Sequence, residues 1–519
     1  MLKEFNITGK CYRDRHYMAD VSKKLEQTLK MIERGDYFII NRPRQYGKTT
    51  TLYAIADRLN PTDNYLAFNI SFEGIGDDIF QEEQDFSSHL LKVMARYANV
   101  YAPQIESWLL ETSSTIKNLN DLSSAITDLV ANTTKKIVLI IDEVDKSSNN
   151  QLFISFLAML RNKYLSQDDF KTFHSVVLAG VHDVKSLRLK LRPGEEQKYN
   201  SPWNIAAEYK VDLNFYPNEI KPMLDDYVAE RGVKMDTEWI AERLFYYTSG
   251  YPFLVSKLCK MMDEEVLPAK ETAEWTTEDL DKTVQALVRE SNTNFESVIK
   301  NLENNPDLYQ LVFKMLVEGE YQDYNIHDPI INLGVMYGIF KNGRGITIHN
   351  IIYEELIFHY MTSKAKSQVL LGEYNISKEF YLPNRLLNME VVLTKFQAFM
   401  REQYSKKDRD FIERQGRLIF LAFLKPIING AGYDFKEVQI SEERRLDVTI
   451  TYYEHKYVAE LKIWRGDKAH KEGLKQLVEY LDRLNLNKGY LIILDHSELK
   501  EWTIKRIRTK DKKIYAVWV

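Results

Sequence analysis

The sequence predicts an α/β protein, in which a parallel sheet domain with helices on both faces is followed by helical subdomains and a second, C-terminal α/β domain. Short apolar runs alternate with amphipathic helical patterns up to about residue 180, and a similar alternation returns after residue 447. Strands separated by helices usually pair in parallel, because each helix carries the chain back across the sheet. At 519 residues, the chain is also longer than one hydrophobic core usually organises.

The individual elements follow from hydrophobic periodicity. In the N-terminal part it predicts helices over 23–33 and 49–59 and strands over 37–41, 65–68, 137–141 and 176–179. A mostly helical region follows over about 217–290, and short helices around a glycine-rich turn at 342–345 suggest a winged-helix-like unit. Later come strands over 447–453, 457–464 and 489–494 and a helix over 470–484. The predicted domains are 1–216, 217–295, 296–363 and 364–519.

The composition favours an intracellular protein without a membrane span. Cys11 and Cys259 are the only cysteines, which are too few and too distant for a disulfide framework and fit a reducing compartment. No run of about 18 apolar residues occurs, and the first residues lack the apolar stretch of a signal peptide. We therefore expect a cytoplasmic protein that makes no contact with a membrane.

The net charge of −5 conceals an uneven distribution along the chain. Residues 364–519 contain 30 Lys and Arg against 22 Asp and Glu, a net of +8, and the remainder contains 40 against 53, a net of −13. An excess of cations favours a polyanionic partner, although it is also common on an ordinary solvated surface. The charge therefore makes nucleic acid a candidate partner of the C-terminal part.

A candidate phosphate-binding loop lies between the predicted strand 37–41 and the predicted helix 49–59. Backbone amides at a helix N-terminus can bind a phosphate, the Lys48 ammonium adds a positive charge, and the Thr49 hydroxyl is a ligand for Mg²⁺. Arg42 stands where the usual motif has a glycine. The residues expected to contact a nucleotide lie in the loop and the first helical turn, and they are Gln45, Tyr46, Gly47, Lys48, Thr49 and Thr50.

Two acids further along the chain complete this pattern. The apolar run 137–141 ends on Asp142 and Glu143. A buried strand that ends on two acids brings Asp142 to the magnesium ion and leaves Glu143 to orient or deprotonate the attacking water. Together with the loop, this strand end predicts ATP and Mg²⁺ as cofactors and Glu143 as a catalytic residue.

The first half of the chain resembles the bacterial AAA-like P-loop ATPases allied to the STAND class. The resemblance covers about residues 5–259, and its motifs include Pro43-Arg44-Gln45, Gly47-Lys48-Thr49-Thr50, Ser201-Pro202-Trp203-Asn204-Ile205-Ala206 and Gly250-Tyr251-Pro252. It implies that Gly250 and Pro252 approach the adenine of the nucleotide. It also implies a γ-phosphate sensor at His182, after the strand 176–179, and an arginine finger at Arg188 or Arg192.

A second group of charged residues lies in the C-terminal domain. Residues two apart in a strand point to one face, so Glu460 and Lys462 project together. A hairpin with the preceding strand would bring Asp447 to the same edge. Two carboxylates suit Mg²⁺, with Mn²⁺ as an alternative, and a neighbouring lysine can position water for phosphodiester hydrolysis. Surface hairpins carry such residues by chance too, but these charges stand among apolar residues, where a buried strand rarely places them.

This arrangement resembles the PD-(D/E)XK nuclease superfamily over about residues 372–519. The resemblance implies that Asp447 and Glu460 are metal ligands and that Lys462 is the catalytic lysine. It also implies roles for Gln476 on the following helix and for an acid on the helix before the hairpin, for which Glu413 is the best candidate. Leu446 stands where the usual motif has a proline.

These patterns lead us to expect an ATP-dependent or ATP-regulated nuclease that requires a divalent metal and acts on nucleic acid, DNA in preference to RNA. Resemblance alone suggests a role in defence or in the processing of mobile elements. Two alternatives stay open. One is a nucleotide-operated, STAND-like switch whose C-terminal domain only binds nucleic acid or protein, and the other is a nuclease with an inactive ATPase scaffold. A homo-oligomer is also left open.

Overall fold

The computed structural model divides into two compact units. The described residues are 2–144, 151–181, 203–318, 322–325, 327–341, 343, 345–368, 380–382, 386–404, 416, 418–424, 427, 432–436, 447–452, 455–464, 467–495, 502–509 and 511–519. The first unit contains Met1–Asn301, Asn325–Asn342 and Ile348–Tyr353, and the second contains Leu302–Tyr324, Gly343–Thr347 and Glu354–Val519. The boundaries of the four domains drawn from the sequence stay a prediction.

A four-stranded parallel sheet organises the first unit. Its strands are β1 (Tyr37–Asn41), β2 (Tyr65–Ser71), β3 (Lys136–Asp142) and β4 (Ser175–Gly180). The order is β1-β4-β3-β2 and every pair is parallel, which confirms the predicted parallel sheet. Because β4 lies between β1 and β3, the carboxyl ends of these strands are neighbours at one edge of the sheet, where ligands of open α/β sheets bind.

The strands of this sheet are continuous apolar runs because both of its faces are covered. Every residue of β3 after Lys136 is buried, and β4 is buried throughout. The helices that precede or connect the strands are Ser22–Glu33, Lys48–Leu59, Glu83–Tyr101, Glu106–Thr115, Leu119–Ala131 and Gln151–Leu165.

A helical region follows the sheet. Its helices are Pro217–Arg231, Thr237–Thr248, Pro252–Met261, Thr277–Val288, Thr293–Glu303, Pro306–Phe313, Pro329–Met336 and Ile351–Gln368, and the short strands β5 (Phe340–Lys341) and β6 (Thr347–Ile348) precede the last of them. Several helix starts follow capping rules, since Asp236 and Thr276 accept the backbone N–H groups of Trp239 and Asp279. Among the described residues, no helix has the length and apolar character needed to cross a membrane.

A six-stranded mixed sheet organises the second unit. Its strands are β7 (Gly432–Lys436), β8 (Asp447–Tyr452), β9 (His455–Ile463), β10 (Lys488–Leu494), β11 (Ile504–Thr509) and β12 (Lys512–Trp518), in the order β11-β12-β10-β9-β8-β7. The inner strands β9, β10 and β12 pair in parallel, and the outer pairs are antiparallel. Periodicity predicts β8, β9 and β10, but it does not predict β7, β11 or β12.

Two helices pack on opposite faces of this sheet, namely the 389 helix (Met389–Tyr404) and the 467 helix (Asp467–Arg483). Leu477 of the 467 helix belongs to a buried cluster with Ala516 of β12. Thr394 of the 389 helix forms a hydrogen bond of 2.9 Å with Tyr515. Neighbouring residues of a strand point to opposite faces, so each helix covers one face.

Candidate functional site

The candidate phosphate-binding loop connects β1 to the helix Lys48–Leu59. Gly47 immediately precedes the helix and has a φ of 77°, a left-handed conformation that glycine adopts without steric cost. The first N–H groups of a helix have no partner within the helix. The start of this helix therefore presents donors that suit a bound phosphate.

Arg42 replaces the usual glycine without disturbing the loop. Its φ is not among the positive values found in the described residues, so the position does not need a glycine. Its guanidinium donates to the carbonyl oxygens of Asn41 and Val211, at 2.7 Å each. The side chain is therefore held by backbone oxygens of neighbouring segments, and the substitution is compatible with the loop conformation.

The Lys48 ammonium is held by carbonyl oxygens of the loop. It donates to Arg42 O at 3.0 Å and to Pro43 O at 2.8 Å, and the residue is buried. An ionised oxygen is a stronger partner for an ammonium than a neutral carbonyl. A phosphate bound in the loop can therefore replace these carbonyl contacts.

Thr49 and Asp142 join the two sequence patterns. The Thr49 hydroxyl donates to Asp142 Oδ2 at 2.6 Å, and Asp142 Oδ1 accepts the backbone N–H of Glu143 at 2.9 Å. Asp142 is buried at the end of β3. Glu143 has a φ of 58°, a conformation that non-glycine residues rarely adopt and that often marks a functional turn. The structure therefore brings Thr49 of the loop helix and Asp142 of the strand end together, and Glu143 follows directly in a strained turn.

The end of β4 lies between the loop and the acids. Asn41 of β1 is in register with Gly180 of β4, and Arg42 donates its N–H to Gly180 O at 3.2 Å. β4 therefore ends beside the loop. The sensor and finger candidates His182, Arg188 and Arg192 lie outside the described residues, so their roles stay predictions.

The Gly250-Tyr251-Pro252 turn contacts the loop through its tyrosine. Tyr251 is buried, and its hydroxyl donates to Arg44 O at 2.6 Å. Pro252 is the first residue of the helix Pro252–Met261, a position at which the missing N–H breaks no helical hydrogen bond. The turn that the resemblance assigns to adenine thus lies against the phosphate loop.

Gly250→Ala is expected to lower the free energy of unfolding by about 2 kcal/mol or more, from backbone strain and from a clash. Gly250 has a φ of +74°, and a Cβ there would lie 2.2 Å from Phe215 O. Urea unfolding followed by circular dichroism measures the loss. Gly232→Ala is the matched control, because it shares a positive φ of +68° but its Cβ would meet open space. Equal losses in the two variants would show that the approach to Phe215 does not matter.

The Tyr46 side chain contacts the protein on three sides. Its hydroxyl donates to Asn214 Oδ1 and lies 3.0 Å from His349 Nε2, and its ring meets that of Tyr251 edge to face at 4.6 Å. The sequence predicts Tyr46 only as a nucleotide contact. Asn214 and His349 are 168 and 303 residues away, and no local pattern signals them. Tyr46 thereby ties the loop to two distant segments of the same unit.

The hydrogen bonds also favour one tautomer of His349. Because the Tyr46 proton goes to Asn214, His349 Nε2 is the donor to the Tyr46 oxygen. The Asn350 carbonyl accepts the N–H of Tyr353 at 2.8 Å, so its amide nitrogen faces His349 Nδ1, at 3.4 Å. These contacts fit a neutral imidazole with its proton on Nε2.

The neutral His349 is expected to make the protein less stable in acid. Burial, assisted by the charge of Lys341, lowers the pKa of His349 from 6.5 to about 4, and Asp212 opposes this shift. Below pH 6.5 the unfolded chain gains a proton that the folded chain accepts only near pH 4. The free energy of unfolding should therefore be unaffected by this group above pH 6.5 and fall by about 3 kcal/mol as the pH drops to 4.

Urea unfolding between pH 7.5 and pH 4 measures this dependence in the wild type and in His349→Gln, which keeps a donor towards Tyr46. The stability difference between the two proteins should shrink as the pH falls, because only the wild type loses the histidine contribution. Parallel curves for the two proteins would contradict the assignment.

Gln45 and Thr50 contact segments that flank the loop. Gln45 Nε2 donates to Thr293 Oγ1 at 3.3 Å, and Gln45 Oε1 is buried without a hydrogen-bond partner among the described residues. Thr50 Oγ1 accepts the N–H of Cys11 at 3.3 Å. These contacts hold the loop and the first helical turn against the flanking chain.

The candidate hydrolytic centre lies on the β8–β9 hairpin. The two strands are antiparallel and Asp447 is directly opposite Glu460, as the sequence prediction requires. Residues that are directly opposite share a face, with Cβ atoms about 4.5–5.5 Å apart. The Asp447 side chain itself lies outside the described part of the chain.

Glu460 and Lys462 contact each other on one face of β9. Lys462 Nζ lies 2.7 Å from Glu460 Oε1, and Glu460 is 1% exposed. Its second oxygen, Oε2, is buried and has no hydrogen-bond partner among the described residues. A buried carboxylate oxygen without a partner is costly, so the environment of Oε2 fits a bound cation.

The 467 helix approaches the Lys462 side chain at Gly473, where a Cβ would lie 3.3 Å from Lys462 Cγ. Gln476 is half-buried three residues further along this helix and shares the face of Gly473. Glu413 lies outside the described residues. Among the described side chains, no group of three or more His, Cys, Asp or Glu residues suits a metal. The described side chains do not include those of Asp447 and Glu413.

Comparison with protein families identifies the first part of the chain. The sequence pattern of the AAA-like domain matches residues 8–327, which is more than half of the 519 residues. The chain belongs to the AAA-like domain family. This confirms the predicted AAA-like P-loop ATPase and places the loop, Asp142 and the Gly250 turn within the AAA-like domain. The match ends before the first strand of the C-terminal sheet.

Several solved structures are similar to parts of this chain. The RuvB Holliday junction branch migration motor of Thermotoga maritima is 17% identical, with a TM-score of 0.35 and coverage of 68% of this chain and 98% of that chain. The Aeropyrum pernix ORC2 protein with ADPNP and ADP is 12% identical, with a TM-score of 0.37 and coverage of 69% of this chain and 96% of that chain. A STAND protein with a tetratricopeptide repeat sensor from Pyrococcus horikoshii is 13% identical, with a TM-score of 0.26 and coverage of 78% of this chain and 52% of that chain. No curated protein matches the chain.

Proposed function

We propose that the AAA-like domain binds ATP together with Mg²⁺ at the loop 42–48 and hydrolyses it. A 2.6 Å hydrogen bond between Thr49 Oγ1 and Asp142 Oδ2 supports this proposal. It places two oxygen ligands side by side at the start of the helix Lys48–Leu59. Mg²⁺ prefers such oxygens and is usually held by one or two protein groups together with substrate phosphates. When bound, it neutralises charge on the β- and γ-phosphates.

The protein residues have distinct roles in this proposal. The Lys48 ammonium leaves the carbonyls of the loop and binds phosphate oxygens. Glu143 orients the attacking water and accepts its proton. Gly250 and Pro252 border the base, because their turn lies against the loop through Tyr251.

We further propose that the C-terminal sheet hydrolyses phosphodiester bonds of nucleic acid, DNA in preference to RNA, with Mg²⁺ or Mn²⁺. The buried Glu460 Oε2, which has no partner among the described residues, supports a role as metal ligand. Asp447, opposite Glu460 in the hairpin, would supply the second carboxylate. The Lys462 ammonium would orient water or stabilise charge on the scissile phosphate, with Gln476 and Glu413 as supporting groups.

One assay tests both activities. The purified full-length chain is incubated with single- and double-stranded DNA and RNA, with Mg²⁺ or Mn²⁺, and with or without ATP. We expect metal-dependent formation of both ADP and cleaved nucleic acid. Retention of ATP without turnover would instead indicate a nucleotide-operated switch. Cleavage that is indifferent to ATP, with no turnover, would indicate a nuclease on an inactive ATPase scaffold.

A further inference from the structure

Three basic residues lie side by side across three neighbouring strands of the C-terminal sheet. Lys488 of β10 is in register with Lys513 of β12, and Lys513 is opposite Arg508 of β11. Residues in register on neighbouring strands point to the same face. All three side chains are exposed. They form a single row of positive charges, which we call the cationic row.

The cationic row is only partly neutralised within the protein. Glu390 of the 389 helix pairs with Lys488 at 2.6 Å, but it also pairs with Arg506 at 2.9 Å. Of the described acidic residues, none forms an ion pair with Lys513 or Arg508. Like charges that are directly opposite destabilise a sheet. An external anion that binds along the row would relieve this repulsion.

Protection of a sheet edge does not account for the row. Lysines on an edge strand deter pairing with other chains, and Arg508 on the outer strand β11 fits that role. Lys488 and Lys513, however, lie on β10 and β12, which have neighbours on both sides. Their charges therefore need another explanation.

The spacing of the row fits the phosphates of a nucleic acid. Strands about 4.8 Å apart place the backbones of the outer two residues about 10 Å apart. One strand of duplex DNA carries a phosphate about every 3.4 Å along the axis, so the row spans about three phosphates. Because sheet pairing fixes the backbone, the three side chains start from fixed positions on one face of the sheet before any ligand binds.

The row is separate from the candidate hydrolytic centre. Glu460 is in register with Leu491, which is in register with Ala516 of β12. Ala516 and Lys513 are an odd number of residues apart, and odd separations in a strand point to opposite faces. The cationic row therefore lies on the sheet face opposite Glu460.

We propose that the cationic row of Lys488, Lys513 and Arg508 is a phosphate-binding surface that anchors the backbone of a nucleic acid. Contacts with phosphates carry no sequence information, so this anchoring is independent of base sequence. Binding along the row depends on the register of the sheet and not on hydrolysis at Glu460.

The test measures binding of the full-length chain to a fluorescent DNA duplex across a series of salt concentrations, in EDTA so that no metal-dependent cleavage occurs. The triple variant Lys488→Thr, Lys513→Thr, Arg508→Thr keeps strand-forming side chains. Its slope of log affinity against log salt should be shallower by about 0.9 for each lost phosphate contact, about 2.7 in all. The single variant Lys513→Thr should lose about 0.9, and Lys513→Arg should retain the wild-type slope.

The matched control removes the same charge elsewhere. Lys23, Lys117 and Lys171 are exposed in the first unit, and their triple replacement by Gln should leave the slope unchanged. The proposal is overturned if the wild type does not bind the duplex, if the row variants keep the wild-type slope, or if the control variant loses as much. Binding to vesicles containing phosphatidylserine is measured as well. The proposal is also overturned if the row variants lose only the binding to these vesicles. A failure of cleavage in Mg²⁺ would leave these results in EDTA unaffected.

Discussion

Lys48→Ala is expected to weaken binding of ATP with Mg²⁺ by about 30-fold or more. Removing one partner of a buried charged contact costs about 2 kcal/mol or more, which corresponds to this factor. The ammonium lies within the loop, at 2.8 Å from Pro43 O, where a phosphate would replace the carbonyl. Titration calorimetry of the full-length chain measures the affinity. Lys92→Ala, at an exposed lysine of the same unit, is the control and should bind as the wild type does.

Glu143→Gln should separate binding from turnover at the same site. The amide keeps the shape of the side chain but cannot accept a proton, and loss of a general base typically slows a reaction about 100-fold or more. We expect ATP affinity within a few-fold of the wild type. Unchanged affinity in Lys48→Ala, or unchanged turnover in Glu143→Gln, would contradict the assignment of the loop and the acids.

Glu460→Gln is expected to reduce metal-dependent cleavage by about 100-fold or more, because a bound metal contributes several kcal/mol to stabilising the transition state. The variant should lose Mn²⁺ binding in parallel, since an amide is a weaker ligand than a carboxylate. Lys462→Ala should keep Mn²⁺ binding and still slow cleavage by about 100-fold, because its role is to orient water or stabilise charge. Cleavage of a labelled duplex and Mn²⁺ titration by electron paramagnetic resonance measure the two effects.

Glu479→Gln is the control for the hydrolytic centre. Glu479 lies on the 467 helix, is 45% exposed and lies 4.0 Å from Lys475. Its replacement removes the same charge near the sheet and should leave both metal binding and cleavage unchanged. Circular dichroism of all variants shows whether the sheet is intact. Full cleavage by Glu460→Gln would show that the C-terminal sheet is not the hydrolytic centre.

The sequence predicts the features that depend on local patterns. Apolar runs predict β1, β3 and β4, because strands buried on both faces contain few polar residues. The loop after β1 and the acid at the end of β3 can be predicted because backbone amides bind phosphate and oxygen ligands bind Mg²⁺. The 2.6 Å contact of Thr49 with Asp142 shows that the fold brings them together. Likewise, period-two spacing places Glu460 and Lys462 on one face, and their contact follows.

The features that depend on distant contacts cannot be read from the sequence. The Tyr46–His349 contact joins residues 303 positions apart, and no periodicity encodes such a pairing. β11 combines two isoleucines with Lys505, Arg506 and Arg508, so it resembles a solvated segment more than a strand. The cationic row emerges only from the register of β10, β12 and β11, because its members lie in three separate segments.

We propose that this chain holds two centres for metal-dependent hydrolysis of phosphate bonds. A crystal structure of the full-length chain with Mn²⁺ and a non-hydrolysable ATP analogue tests it most directly, because anomalous scattering locates Mn²⁺. We expect one peak beside Thr49 and Asp142 and a second about 2–2.5 Å from oxygens of both Glu460 and Asp447. The absence of the first peak, or Glu460 and Asp447 carboxylates more than about 8 Å apart, too far to share one ion, would contradict it.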